Sequence, residues 1–314
     1  MLKTAGIHHI TAMVNDAQRT IDFYAGVLGL RLVKKTINFD RPEVYHLYFG
    51  NESGQPGTVI TFFPWPKQLK GRIGIGQVGV TGYVIPEGSL EFWKNRLKKF
   101  GVEFSADVRF GEKYVKLQDP DGLEIELVER NGGTVNGWSF GAVRSEVAIK
   151  GFSGATLISA QPHKTAEVLE HILGLECVGQ EEGFLRFKTD AELGNIIVIK
   201  LTPSVRGLMG AGTVHHIAWR AKDEAELLKW RALLQEKGYY PTEVKNRNYF
   251  NSIYVHEGGG ILFEIATDAP GFTVDEPLDR LGERIMLPSW LEPKREELEA
   301  ILAPVAVQEM EEIE

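Results

Sequence analysis

Hydrophobic positions along the chain change period in a fixed order, and that order recurs. A short alternating stretch gives way to apolar residues at helical spacing, a glycine follows, and three further strand-like stretches complete the unit. Ile21, Tyr24, Val27 and Leu28 predict one buried helix face, and Val168, Leu169, Ile172 and Leu173 predict another. The helices are predicted to stop at Gly29, Gly101, Gly174 and Gly238, which are spaced 72, 73 and 64 residues apart. A glycine there accepts the left-handed conformation that ends a helix, and Lys98, Lys99 and Lys237 in the closing turns suit the helix dipole. The last strand of each unit is predicted at VITFF (59–63), LEIELV (123–128), NIIVIKL (195–201) and ILFEIA (261–266), each after a turn rich in Gly, Asp or Pro.

The recurrence predicts an α+β chain of four βαβββ modules, at about 7–65, 74–130, 150–202 and 213–267. Two modules make an N-terminal half, 1–130, and two make a C-terminal half, 150–267; the Gly- and Asn-containing segment 131–149 links them. Residues 268–314 form a C-terminal extension with a helix near 291–301 and an acidic, solvated end, MEEIE. A four-stranded unit with its helix on one face leaves the other face needing cover. Pairing two units curves their sheets around a cup, which is where chemistry is expected.

Composition narrows the classes. The 314 residues are 43% hydrophobic and 25% charged, which suits a globular chain with a sizeable core. The formal charge is -8 and Lys and Arg are nowhere gathered into a stripe, so nucleic acid is not an expected partner. The start, MLKTAGIHHI, has neither an apolar signal run nor an acylation motif, and the apolar runs are strand-sized; no membrane partner and a cytoplasmic location are expected. The single Cys177 excludes an internal disulfide and a Cys-rich zinc site, and its strand-like context, LECVG, predicts a buried apolar role.

Four of the eight histidines fall in two doublets at the same place in the repeat, GIHHITAMV opening unit one and GTVHHIAWR opening unit four. Strand alternation lets one histidine of each doublet point into the cup. His9 shares its side with Thr11, Met13 and Asn15, and His216 shares its side with Ala218 and Arg220, whereas His8 and His215 side with apolar neighbours. In the last strand of unit four, Glu264 stands between Phe263 and Ile265. A buried lone carboxylate costs several kcal/mol unless a cation or hydrogen bonds offset it. His9, His216 and Glu264 are therefore the predicted metal ligands, a two-histidine, one-carboxylate face with open positions of the kind that suits non-haem Fe(II). In the same register unit three has Gly154 for His9, and the glutamate position holds Thr61 in unit one and Val198 in unit three. Units one and four are thus expected to pair around the site, and Glu126 of unit two, lacking histidines, reads as a structural acid.

Around this triad, a hairpin about Gly258 and Gly259 sets Tyr254 opposite Glu264, as an acid or orienting hydroxyl or simply a packed ring. Arg247 would stabilise a developing anion if it is not merely exposed, and Thr11 would donate to a bound oxygen. His8 and His215 are candidate proton carriers or seals between units. His46, His163, His171 and His256 lack such support and are read as ordinary residues. No residue is assigned to an organic cofactor.

With these residues assembled, the chain over 5–290 resembles the glyoxalase and extradiol-dioxygenase (vicinal oxygen chelate) superfamily, most closely its hydroquinone-type ring-cleaving dioxygenases. The segments that carry the resemblance are GIHHIT, FYAGVLGLRLVKKTINFD, YHLYFG, GTVHHIAWR, RNYFNSIYVHEGGGILFEIATD and PGF. The resemblance implies Fe(II), with Mn(II) as the other candidate, held by His9, His216 and Glu264, and Tyr254, Arg247, Thr11, His8 and His215 around it. It implies a dihydroxylated aromatic and O2 as substrates, both oxygen atoms entering a ring-opened product, and a role in detoxifying quinone-type compounds or in aromatic catabolism. A glyoxalase-like isomerase or thiol transferase on the same fold is the alternative; such sites commonly carry a fourth protein ligand, and Thr61 stands where it would be expected. A metal-free binding module ranks last because the doublets would have no purpose. Homo-oligomerisation is left open.

Overall fold

The computed structural model describes residues 2–309. The acidic end read from the sequence at 310–314 lies outside the described residues. Unit one runs β1 (Ile7–Val14), α1 (Ala17–Ile21), β2 (Arg31–Asn38), β3 (Arg41–Gly50) and β4 (Val59–Pro64). Unit two runs β5 (Gln77–Ile85), α2 (Leu90–Lys99), β6 (Phe104–Arg109), β7 (Glu112–Gln118) and β8 (Glu124–Glu129). Unit three runs β9 (Gly151–Ile158), α3 (Pro162–Glu167), β10 (Glu176–Glu181), β11 (Phe184–Lys188) and β12 (Ile196–Lys200). Unit four runs β13 (Thr213–Ala221), α4 (Glu224–Glu236), β14 (Lys245–Asn246), β15 (Phe250–His256) and β16 (Leu262–Pro270).

All four glycines that close the helices have positive φ, from 63° at Gly101 to 81° at Gly238. The helices of units one and three differ from simple α-helices. They widen into π-helical turns at Asp22–Val27 and Val168–Ile172, where Leu28 N–H donates to Phe23 O and Leu173 N–H to Val168 O. The sequence explains the first: Phe23 to Val27 are all buried, more than one α-helical stripe covers, and a wider turn spreads them around the helix.

The strands form two eight-stranded sheets, ordered β14-β15-β16-β13-β1-β4-β3-β2 and β10-β11-β12-β9-β5-β8-β7-β6. Unit one therefore pairs with unit four through antiparallel β1 and β13, and unit two with unit three through antiparallel β5 and β9. Each sheet takes one unit from each half of the sequence. One hydrophobic core nevertheless draws on all four, with Ile10, Tyr83, Leu157 and Ile217 among its members. Residues 131–149 carry no helix or strand, although Arg31 stacks on Trp138 at 4.7 Å and Trp93 donates to Val147 O. Cys177 departs from expectation. It is exposed, because β10 is the outermost strand of the second sheet and its neighbours Glu176 and Val178 face solvent with it. No helix among the described residues is long and apolar enough to cross a membrane.

The C-terminal extension runs along β2, the edge strand of the first sheet. Met286 N–H donates to Lys35 O at 2.8 Å and Thr36 Oγ1 to Met286 O at 2.6 Å, which occupies an edge otherwise open to pairing. The predicted late helix is α5 (Arg295–Ile301). Lys34 of β2 is fully buried; its ammonium bonds Asp275 at 2.6 Å, pairs with Glu276 and lies 5.0 Å from the Tyr249 ring centre. That buried cation ties the extension to the strand next to β3 of the site-bearing sheet. Lys34→Met keeps the side-chain volume but strands two carboxylates. It is expected to lower stability by about 3–5 kcal/mol, read as a lower urea midpoint with an unchanged slope.

Candidate metal centre

His9 on β1, His216 on β13 and Glu264 on β16 converge in the first sheet, all buried. Glu264 Oε2 lies 2.8 Å from His216 Nε2 and 3.2 Å from His9 Nε2, and the two Nε2 atoms are 3.3 Å apart. Among the described residues no other cluster of His, Cys, Asp and Glu offers three such donors. Three donors at bond lengths of about 2.1 Å, subtending about 90° at a common ion, would lie about 3.0 Å apart, close to the observed triangle.

The first doublet settles which nitrogen of His9 faces that ion. His8 Nε2 lies 3.1 Å from Thr267 O, an acceptor, so this nitrogen carries the proton and Nδ1 of the neutral ring accepts. His8 Nδ1 lies 2.9 Å from His9 Nδ1, so His9 is protonated at Nδ1 and presents a lone pair at Nε2. The second doublet repeats the contact, with His215 Nδ1 at 2.7 Å from His216 Nδ1. Burial, reinforced by the neighbouring histidine, pushes His8 and His215 down to about 3, which keeps both rings neutral. Glu264 is opposed by burial, but the His9 and His216 rings beside it hold its pKa well below the usual carboxylate range. Both Glu264 oxygens lack a hydrogen-bond donor. An outward lone pair at His9 Nε2 and a buried anion beside it fit a divalent cation.

A pair of β-bulges puts each doublet in place. In the β1–β13 ladder Ile7 faces Trp219 and His9 faces Ala218, leaving His8 unpaired; Thr11 faces His216 and Ala12 faces Val214, leaving His215 unpaired. A bulged residue escapes strict alternation and is re-aimed. Hence His215 borders the cavity beside His216, where alternation alone would turn it away, while His8 is tied to the β16 backbone behind His9.

His9 and His216 border a cavity of about 260 Å3, with Glu264 buried behind them. Phe39, Phe63, Trp65 and Phe250 wall it, and Phe250 also packs on the His8 and His9 rings at 5.2 and 5.0 Å. Its size is below the about 300–1,000 Å3 of drug-sized pockets and suits a single ring. Tyr254 pairs directly with Glu264 across β15 and β16. Its hydroxyl accepts from Arg247 Nε at 3.1 Å, and burial, then Glu264, raise its pKa, so the phenol stays protonated with its hydrogen free to donate. Thr11 is fully buried, outside the cavity lining, and bonds Thr61 Oγ1 at 2.8 Å. Thr61 also meets His46 Nε2 at 2.9 Å, so the register of a fourth ligand holds a hydroxyl engaged elsewhere.

His46, which the sequence reads as an ordinary residue, borders the cavity. Tyr48 OH bonds its Nδ1 at 2.9 Å, and burial above all keeps its pKa well below the usual histidine value. The available signal was the alternation of β3, which puts His46 on the face shared by Tyr48. His163, His171 and His256 do not line the cavity.

The second sheet has the same framework without the chemistry. Its β5–β9 ladder carries bulges at Gly79 and Ser153, the counterparts of His215 and His8. Gly154 replaces His9, and a Cβ there would stand 1.9 Å from Ile196 O, so no side chain fits. Glu126, the counterpart of Glu264, takes Arg109 as a two-pronged partner, one bond 3.1 Å long. Glu112 joins Arg130 and Arg186 in the same cup, and about 30 Å3 is left around Glu126.

Residues 6–127 match the family described as the Glyoxalase/Bleomycin resistance protein/Dioxygenase superfamily. A Bacillus subtilis strain 168 protein assigned as ring-cleaving dioxygenase MhqO is 58% identical over 309 residues, covering 98% of this chain and 99% of its own length. The chain belongs to this superfamily. The chlorohydroquinone/hydroquinone 1,2-dioxygenase of Sphingobium indicum is 34% identical, covering 94% of this chain and 95% of its own. A crystal structure of a Bacillus subtilis protein assigned as a dioxygenase superposes with a TM-score of 0.98 at 57% identity, covering 99% of this chain and 100% of that one.

His9→Ala and Glu264→Ala are each expected to lose bound metal while keeping the far-ultraviolet circular dichroism of the parent. Elemental analysis after desalting checks this; full metal content in either variant removes that residue from the ligand set.

Proposed function

We propose that the protein is an Fe(II)-dependent ring-cleaving dioxygenase that opens a hydroquinone-type dihydroxylated aromatic with O2. The observation that carries the reading is the three-donor cluster of His9, His216 and Glu264, whose two histidines border an aromatic-walled cavity. Close relatives assigned as ring-cleaving dioxygenases support the reaction class, and the Sphingobium indicum relative supports the hydroquinone ring.

Ferrous iron, when bound, supplies coordination for a diol oxygen and for O2 and a route for electrons between them. The chain's own residues position and protect. Phe63 and Phe250 confine a planar ring and exclude water from its faces, and the Thr61, Thr11 and His46 chain keeps a fourth ligand out of the coordination face. Tyr254 Oη, polarised by Arg247, is a donor for a substrate oxygen above Glu264. His215 is a second donor: if His216 binds through Nε2 it is protonated at Nδ1, so His215 accepts at Nδ1 and turns Nε2–H to the cavity. Arg247 adds fixed positive charge beside any anionic oxygen held there.

Protein purified without oxygen and reconstituted with Fe(II) is expected to consume O2 with methylhydroquinone and release a ring-opened acid. No O2 uptake across a panel of hydroquinones and catechols, together with turnover of a thiol adduct, would sink the proposal. In the active enzyme, Tyr254→Phe removes one positioned donor and is expected to lower kcat about 100-fold with KM little changed.

A further inference from the structure

The two lips of the cup come from equivalent turns of the paired units. In unit one the β2–β3 turn carries Asn38, Phe39 and Asp40, all bordering the cavity; in unit four the β14–β15 turn carries Arg247. Asp40 Oδ2 receives Arg247 Nη1 at 3.1 Å, and the same guanidinium gives Nε to Tyr254 Oη at 3.1 Å. Asp40 is itself held. Asn38 Oδ1 accepts the backbone N–H groups of Asp40 at 2.9 Å and Arg41 at 3.2 Å, and Phe39 packs edge-on against Trp290 at 5.7 Å.

We propose that Asp40 is a positioning residue for the reaction, acting through Arg247 on Tyr254 by an ion pair that joins the two lips over the substrate cavity. This rests on the dioxygenase reading and adds a residue from the opposite unit to it. The second cup shows the other destination open to such an arginine: Arg109, at the corresponding turn of unit two, lies inward on Glu126. Asp40 pulls Arg247 outward, away from Glu264 and in line with the phenol. The Asp40 side chain is 75% exposed, against 21% for Arg247. A pair this solvated shifts an equilibrium by a factor of about five at most, so it opens readily for a ring to enter and closes again behind it.

The test uses the Fe(II)-reconstituted full chain and O2 uptake with methylhydroquinone, comparing wild type, Asp40→Asn and Asp40→Glu at low and high NaCl. Asp40→Asn is expected to lose about three- to fivefold in kcat/KM, mainly in kcat, and Asp40→Glu to recover most of it. Raising NaCl to about 0.5 M is expected to bring the wild type toward Asp40→Asn while leaving that variant unmoved. Asp40→Asn within about twofold of wild type, or with equal salt sensitivity, overturns the proposal. A readout independent of turnover separates this from failure of the dioxygenase reading: the Arg247 Nε–H resonance in arginine-labelled protein. It is expected to be protected from exchange in wild type and Asp40→Glu and to lose protection in Asp40→Asn; equal protection in all three overturns the role even if no substrate turns over.

Discussion

An anion with no donor in reach governs this molecule's functional half. Glu264 is wholly buried and neither of its oxygens receives a hydrogen bond, while the His9 nitrogen beside it is turned, by the proton that ring holds at its far side, into an acceptor. Left like this the cup is unfavourable by several kcal/mol. The arrangement makes sense as a socket whose stability is completed by a divalent ion. His8 is part of the same requirement: its bond to Thr267 O fixes the tautomer of His9, so the ligand is oriented before any ion arrives.

The second cup presents the same constraint solved in the opposite way. Glu126 stands in the register of Glu264, but its cation is covalently supplied as Arg109, which lies over the Tyr114 and Phe184 rings at 5.1 and 5.3 Å. A guanidinium satisfies a buried carboxylate with two directed bonds and fills the volume. It also takes up the space beside the acid, and the backbone approach at Gly154 shuts out the histidine that a metal would need. The two cups are one scaffold with two ways of neutralising an inward acid, and an open coordination face distinguishes the one suited to catalysis.

Much of this was legible because the repeat supplies an internal reference. Four helix-stopping glycines fixed the frame, and comparing registers was enough to single out His9, His216 and Glu264 over Thr61, Val198 and Gly154. Alternation then carried Tyr254 to its place opposite Glu264. Local alternation failed where the strands are irregular. A bulge is a relation between two strands, so neither HHITA nor HHIAW alone announces that His8 and His215 are the unpaired residues. The cavity walls were opaque for a related reason: Phe39, Phe63, Trp65 and Phe250 belong to different strands and turns, and only sheet curvature brings them together. His46 looked ordinary because its partners, Tyr48 and Thr61, become meaningful once β3 and β4 are paired. Cys177 misled for want of strand order, since a residue on an outermost strand need not be buried.

The order of units explains why the site lies where the chain's distant parts meet. Units two and three pair with each other, so the chain leaves β1, folds a complete inner pair and returns to β13 beside its starting point. Because the entropy of closing a loop grows by only about 0.6 kcal/mol per doubling of length, joining the outer units costs little more than joining neighbours. The seam they share is interrupted at two places, and these are the histidine bulges. Each bulge removes regular pairing from the ladder that holds the outer units together, and each leads directly into a ligand. An ion bound by His9, His216 and Glu264 therefore spans the seam where its backbone pairing is weakest, and its binding energy is shared with the closure of the fold. The geometry that leaves a coordination face open for substrate is the same geometry that would let an ion held there brace the seam.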